Sequence, residues 1–225
     1  MIHIIRRRAL TLAILCLGLL GVTSGSALPS LTVTRINLSS MAMARYASSH
    51  SLRDLQAAVD ALSGTFVFSD LTPNNFIPTR RAIVQAFGPV LKAIEQSYEP
   101  NYNPNDRSNT PFFCPPPPAG LVPSGVSDGC IDPNTIRDPN VRAQYVAAMH
   151  TNNLKKQRAG HYADVSNIDA QAMATLSASL ELLNSVAPEG AGPDFSALDG
   201  ILQRAGISSA RRAQVDAMFY ATPQQ

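Results

Sequence analysis

Tryptophan is absent from this sequence, and aromatic residues make up only 6% of it. Charged residues are also scarce, at 15%, against about 25% in a typical globular protein. With so few large rings, the core has to be built from aliphatic and small side chains, which favour helices. The composition therefore predicts a mainly α-helical protein.

Several familiar catalytic signatures are missing as well. The sequence has no His-Glu-x-x-His helix, no phosphate-binding Gly-x-x-x-x-Gly-Lys loop and no dinucleotide-binding glycine pattern. These recognisable sites are excluded, although catalytic groups that are distant in sequence can still meet in a fold. We expect no cofactor.

The first 27 residues have the three-part pattern of a secretory signal peptide. Three arginines lie at positions 6–8, an apolar run occupies 9–22, and Gly25 and Ala27 stand at the small-residue cleavage positions. The run is shorter than the roughly 20 residues that span a membrane. We therefore expect cleavage after Ala27, no transmembrane anchor in the mature chain, and a periplasmic or extracellular location in a bacterium.

Cleavage would change the charge and the cysteine count. The formal net charge of +2 would become −1, because the 18 Lys and Arg fall to 15 while all 16 Asp and Glu remain. Such a chain lacks the clustered positive charge that nucleic acid requires, so no nucleic-acid partner is expected. Cys114 and Cys130 would remain, and an oxidising compartment predicts a disulfide between them, worth about 3 kcal/mol in the chain-entropy model.

The N-terminal half, residues 28–99, is predicted to contain two helices and a short β pair. One helix is indicated by an apolar stripe that ends at Gly64 and consists of Leu52, Leu55, Val59 and Leu62. A second helix from Thr79 is interrupted by Gly88-Pro89, where we expect a kink or two helices in sequence. Residues 31–38, which alternate β-branched side chains, and 65–68 are expected to form the β pair.

Proline dominates residues 100–138. Ten of the chain's 17 prolines lie between Pro100 and Pro139, a density that excludes a helix or a central strand. The four prolines at 115–118 predict a polyproline II segment, which the expected disulfide would pin to the domain. The segment is either a docking ligand for an aromatic groove or a stiff spacer, and the spacer is the simpler interpretation.

The C-terminal half, residues 139–225, is predicted to be helical. Asp138 is expected to cap a helix that begins at Pro139 and runs to about Ala159. A second helix, 169–183, would complete an antiparallel hairpin or bundle; whether Gly160 ends the first helix or lies inside a longer one stays open at this point. Two short helices are expected at 195–204 and 210–220, and residues 28–225 are expected to form one domain.

Three side chains in this half are the nearest candidates for chemistry. His161 and Asp164 are three residues apart and could lie on one helix face, and His150 would share that face if the helix were continuous. A carboxylate-oriented histidine can act as a general base or bind a metal. Solvated polar residues on an exposed face have the same spacing, so no metal site is predicted.

The residues Asp138-Pro-Asn-Val-Arg-Ala-Gln-Tyr145, followed by Asn152 or Asn153 and Lys155 or Lys156, resemble a helix that recurs in uncharacterised exported bacterial helical proteins. The resemblance covers residues 138–156. It implies an exported helical protein and no activity.

Three functions are compatible with these features. The first is a non-enzymatic exported protein that binds an unknown protein partner or has a structural role in the cell envelope or outside the cell. The second is an exported hydrolase or metal-dependent enzyme built on His150, His161 and Asp164. The third is a helical component of a secretion or conjugation apparatus. We favour the first, because the export signal, the helical pattern and the pinned proline segment require no catalytic site.

Overall fold

A computed structural model describes residues 27–64, 70–121, 130–189, 191 and 195–221. These contain six α-helices: α1 (Ser30–Ser49), α2 (Leu52–Leu62), α3 (Phe76–Ser97), α4 (Pro139–Ser185), α5 (Phe195–Arg204) and α6 (Ser209–Ala221). Single 3₁₀ turns lie at Arg107–Asn109 and Pro133–Thr135, and no strand occurs in the described ranges. The prediction of a mainly α-helical fold is confirmed. The predicted signal peptide occupies residues 1–27, of which 1–26 lie outside the described part.

The main core lies between α2, α3 and the second half of α4. α1 packs on α2 and α3, α5 packs on α3, and α6 packs on α4 and α5. The core side chains are aliphatic with two phenylalanines, as the composition predicts; among those with no exposed surface are Leu55, Val59, Ile83, Phe87, Leu176 and Leu183. No helix in these ranges combines the length and the apolarity that crossing a bilayer requires.

Helix α1 corrects the predicted strand at 31–38. Its inward side is formed by Thr32, Ile36, Ser39, Ala42, Met43 and Tyr46. These positions recur at three- and four-residue intervals, which is the period of a helix and not of a strand. The alternation of β-branched residues is local, whereas packing on α2 and α3 acts along the whole helix and outweighs it. The second predicted strand, 65–68, lies outside the described residues.

Helix α2 confirms the predicted stripe, because Leu55, Val59 and Leu62 are buried in the main core. It follows α1 after a two-residue connection in which His50 has φ +51°, a left-handed conformation that is uncommon outside glycine. The N–H of His50 donates to the Tyr46 carbonyl at 2.8 Å and ends α1. Gly64, also at positive φ (+66°), follows α2 as predicted.

Helix α3 is one helix with Pro89 inside it, so the alternative of two helices in sequence is wrong, and the kink stays a prediction. Packing explains why position 88 is a glycine, because a Cβ atom placed there would lie 2.9 Å from the Cβ of Ala205. Glycine therefore lets the end of α5 approach α3 closely.

Helix α4 corrects the predicted helical hairpin. Asp138 caps it as expected, accepting hydrogen bonds from the N–H groups of Asn140 (2.8 Å) and Val141 (3.2 Å). The helix then continues for 47 residues to Ser185, about 70 Å at 1.5 Å per residue. Gly160 is exposed and lies inside it, and its helix-propensity cost of about 1 kcal/mol is outweighed by packing on both sides.

The two C-terminal helices match their predicted ranges. The hydroxyl of Ser208 accepts a hydrogen bond from the N–H of Arg211 at 3.2 Å and donates one to Glu95 at 2.6 Å. Ser208 therefore caps α6 and also ties its start to α3.

Candidate functional site

The disulfide between Cys114 and Cys130 closes the proline-rich part of the chain, and the prediction of this bond is confirmed. The two Cα atoms lie 5.3 Å apart. We call residues 110–121 and 130–137 the pinned segment.

Side chains of α4 hold the backbone of the pinned segment. The amide of Asn152 accepts from the N–H of Phe112 at 2.7 Å and donates to its carbonyl at 2.5 Å. The Tyr145 hydroxyl accepts from the N–H of Ile131 at 3.1 Å. The guanidinium of Arg142 donates twice to the carbonyl of Ile136, at 2.9 and 2.6 Å. The segment is thus fixed to α4 on both sides of the disulfide.

A small second core lies beneath these hydrogen bonds. Its buried members are Ile131, Ile136 and Tyr145, and they are flanked by Leu121, Val141 and Met149. It is separate from the main core, whose contribution from α4 begins at Val165. Tyr145 and Val165 are 20 residues apart on one helix, which is about 30 Å. α4 therefore carries the pinned segment well away from the main core.

Between residues 113 and 117, the outward side of the pinned segment is apolar. Phe113 is 70% exposed, the highest value among the exposed large hydrophobic side chains of the described residues. Pro115 is buried and Pro118 is half-buried, whereas Pro116 and Pro117 face solvent. We call Phe113, Pro116 and Pro117 the proline edge.

A second polar and aromatic cluster joins the end of α3 to the middle of α4. The ring of Tyr162 lies 5.5 Å from that of Tyr98 and 5.2 Å from that of Tyr102. Arg158 lies over the Tyr102 ring at 5.9 Å and pairs with Glu99 at 2.7 Å. These contacts position the start of the proline-rich region against α4.

Tyr98 also belongs to a half-buried network. Its hydroxyl donates a hydrogen bond to the carboxylate of Asp169 at 3.0 Å. The same carboxylate accepts hydrogen bonds from both terminal nitrogens of Arg211, at 2.7 and 2.6 Å. Burial, more than any neighbouring charge, raises the pKa of the Tyr98 hydroxyl. The network ties α6 to α4 through three hydrogen bonds to the carboxylate of Asp169.

The three predicted candidates for chemistry do not converge. His150 and Asp164 are exposed, and His161 is half-buried with its Nε2 2.8 Å from the carbonyl of Ser97. A carbonyl only accepts, so Nε2 carries the hydrogen. Eleven residues separate the two histidines, about 16 Å along α4, too far to share one ion. Among the described residues, no group of three or more His, Cys, Asp or Glu side chains could hold a metal ion.

Residues 125–129 read Gly-Val-Ser-Asp-Gly and match the Gly-x-Ser-x-Gly pattern of serine hydrolases. In those enzymes the serine lies on a turn between a strand and a helix. Here residues 122–129 are outside the described part, and residues 121 and 130, on either side of them, belong to no helix or strand.

An open apolar cleft of about 260 Å³ lies at the other end of the molecule. It is lined by Leu71, Thr72, Pro73, Phe76, Val186 and Pro188. It is smaller than most ligand sites, and its lining contains no ionisable side chain.

The pinned segment is the site that sequence reasoning only partly foresaw. Its disulfide and its prolines were visible, but the hydrogen bonds from α4 join residues up to 40 positions apart. One signal was present: Asn152 is a polar residue on the apolar stripe that Val141, Tyr145 and Met149 form. A buried amide on such a stripe needs a partner, and the backbone of Phe112 supplies it.

Comparison with known proteins finds no matching family model, no similar curated protein and no similar solved structure. The resemblance at residues 138–156 therefore stays a prediction.

Proposed function

We propose that this chain is exported, loses its first 27 residues, and acts as a helical interaction module and not as an enzyme. The pinned segment carries this proposal. On its inner side, polar side chains of α4 fix the backbone of the segment. On its outer side, the ring of Phe113 is exposed to solvent.

The use of polar side chains supports this function. Arg142, Tyr145 and Asn152 all point at backbone groups of the pinned segment. Groups that are hydrogen-bonded in this way rigidify the segment and specify one arrangement. A surface ordered in advance loses less entropy when it binds, which is how a binding module gains affinity.

Export is supported by the disulfide and by the N-terminal pattern. Disulfides form and persist in oxidising compartments and are rare in the cytosol. The test is to express the full chain in its native cells, fractionate them and measure the mass of the product. We expect a mature chain that begins at Leu28 and carries two fewer hydrogens than the dithiol. A cytosolic chain that retains Met1 would contradict export.

Binding is tested by photo-crosslinking the exported chain in intact cells, with the reactive side chain placed in turn at exposed positions over its surface. We expect a discrete protein adduct from at least one position. Absence of any adduct would contradict the proposal. Turnover of a hydrolase substrate by purified mature chain, lost on His161→Ala, would favour the enzyme instead.

A further inference from the structure

We infer that the proline edge is a ligand that inserts into an aromatic-lined groove of a folded partner protein. This inference rests on the proposed function and names the surface and the chemistry of the partner.

The backbone of the edge is extended by its own chemistry. The proline ring fixes φ near −65°, and each residue that precedes a proline is pushed to extended conformations. Residues 114–117 all precede prolines. A polyproline II helix has three residues per turn, so positions 115 and 118 share one side. Pro115 and Pro118 are the two that turn inward, as this repeat requires.

The edge is held at both ends. At its start, Asn152 binds the backbone of Phe112, and Cys114, directly after Phe113, is bonded to Cys130. After it, the N–H of Leu121 donates to the carbonyl of Pro118 at 3.1 Å, and Leu121 packs against the small core. Pro116 and Pro117 are thus presented in a fixed position, so a partner orders very little on binding.

The hydrogen-bonding groups of the edge define the partner. Prolines have no N–H, so these positions donate no backbone hydrogen bond, and Pro116 and Pro117 are exposed. The edge therefore offers flat apolar rings and backbone carbonyls, which only accept hydrogen bonds. Tyrosine and tryptophan supply the complement, because their rings form apolar slots and their O–H and N–H groups donate. Grooves lined by these residues are the known receptors of polyproline II segments.

The test places a photoreactive phenylalanine derivative at Phe113 or at Pro117 of the full chain, exported by its native cells. Matched control positions are Arg53 on α2 and Gln85 on α3, both exposed on the main core. Soluble polyproline peptide is the competitor, and a Gly-Ser peptide of equal length is its control. We expect a partner adduct from Phe113 and Pro117, lost with polyproline and retained with Gly-Ser.

A double substitution, Pro116→Ala with Pro117→Ala, is expected to abolish the adduct from position 113. Pro104→Ala, another exposed proline of the same region, should leave it unchanged. Because all three prolines are exposed, the variants should keep the disulfide, each with a mass two hydrogens below that of its own dithiol, and the thermal midpoint of the parent.

Adducts from Arg53 or Gln85 with none from the edge would overturn this inference and leave the proposed function standing. An edge adduct that polyproline does not reduce would overturn it, as would an adduct consisting of a second copy of this chain or of phospholipid. No adduct from any position would remove both proposals.

Discussion

The amide of Asn152 is 3% exposed and makes two hydrogen bonds with the backbone of Phe112. A buried amide that pairs with the N–H and the carbonyl of one residue acts like a single rung of a β-ladder. It fixes the position along α4 at which the pinned segment begins.

Asn152→Ala should lower the free energy of unfolding by about 1–3 kcal/mol, because it leaves the half-buried backbone groups of Phe112 without their partner. The control is Asn153→Ala, at an exposed position one residue further along the same helix, for which we expect a change within about 0.5 kcal/mol. Urea unfolding of both variants, with exchange of the Phe112 amide as a local probe, checks this. Equal losses in the two variants would show that the hydrogen bonds do not stabilise the fold.

A second residue-scale effect concerns Asp216 on α6. Burial raises the pKa of its carboxyl, and the negative charge of Asp199 adds to this. A raised pKa means that the folded state favours the protonated form. The favourable contribution is therefore present below the ordinary pKa of about 3.9 and is lost as pH rises through the folded value.

Asp216→Asn should accordingly stabilise the protein at pH 7 by about 0.3–1 kcal/mol, the scale of a partly exposed charge, and should give no gain below the ordinary pKa. Thermal midpoints of parent and variant across this pH range measure the difference. Asp164→Asn, at an exposed position of α4, is the control. A gain that persists at low pH would have a cause other than ionisation.

At the scale of the helices, α4 explains why the sequence suggested a hairpin. At about 100° per residue, the 20 residues from Tyr145 to Val165 turn the helix by about 200° beyond full turns. The small core and the main core therefore lie on nearly opposite sides of α4. The apolar residues of α4 therefore form two short stripes instead of one continuous stripe. This pattern is typical of two separate helices.

Other elements show what local patterns do convey. The stripe of α2, the Asp138 cap and the Cys114–Cys130 bond were predicted, since each depends on residues close in sequence or on composition. α1 was missed because packing decided it, and the candidate site was only half foreseen because Phe112 and Asn152 meet through the fold.

Two glycines on these helices should respond oppositely to the same substitution. Gly160→Ala should stabilise by about 0.5–1 kcal/mol, because alanine loses less backbone entropy and a Cβ atom there meets nothing within 4 Å. Gly88→Ala should destabilise by about 1–3 kcal/mol through overpacking, because its Cβ would lie 2.9 Å from that of Ala205. Urea unfolding of the two single variants measures the sign of each change in the free energy of unfolding. A stabilising Gly88→Ala would mean that α3 and α5 do not pack this closely.

At the scale of the whole molecule, stability is divided between two cores that share one helix. The main core contains buried side chains from the second half of α4 and from the five other helices. The small core depends on the pinned segment, which has little regular structure. Regions with few buried contacts open at lower free energy than a main core does.

Replacing both cysteines, Cys114→Ser with Cys130→Ser, should cost up to about 3 kcal/mol, and the loss should be local. Amide exchange should accelerate at Phe112, at Ile131 and in the first half of α4, while Val165–Leu183 keep their protection. Hydrogen exchange with mass spectrometry resolves these regions. A uniform loss of protection would show that the two cores unfold as one unit.

The opposite-sided packing of α4 also sets a rule for chain length. One residue inserted between Tyr145 and Val165 would rotate the two packing faces by about 100° relative to each other, so one core would lose its partners. Insertions in exposed loops between helices carry no such penalty. The number of residues between the two cores is therefore constrained by the rotation of the helix. We expect α4 to tolerate substitutions in this interval far better than insertions or deletions.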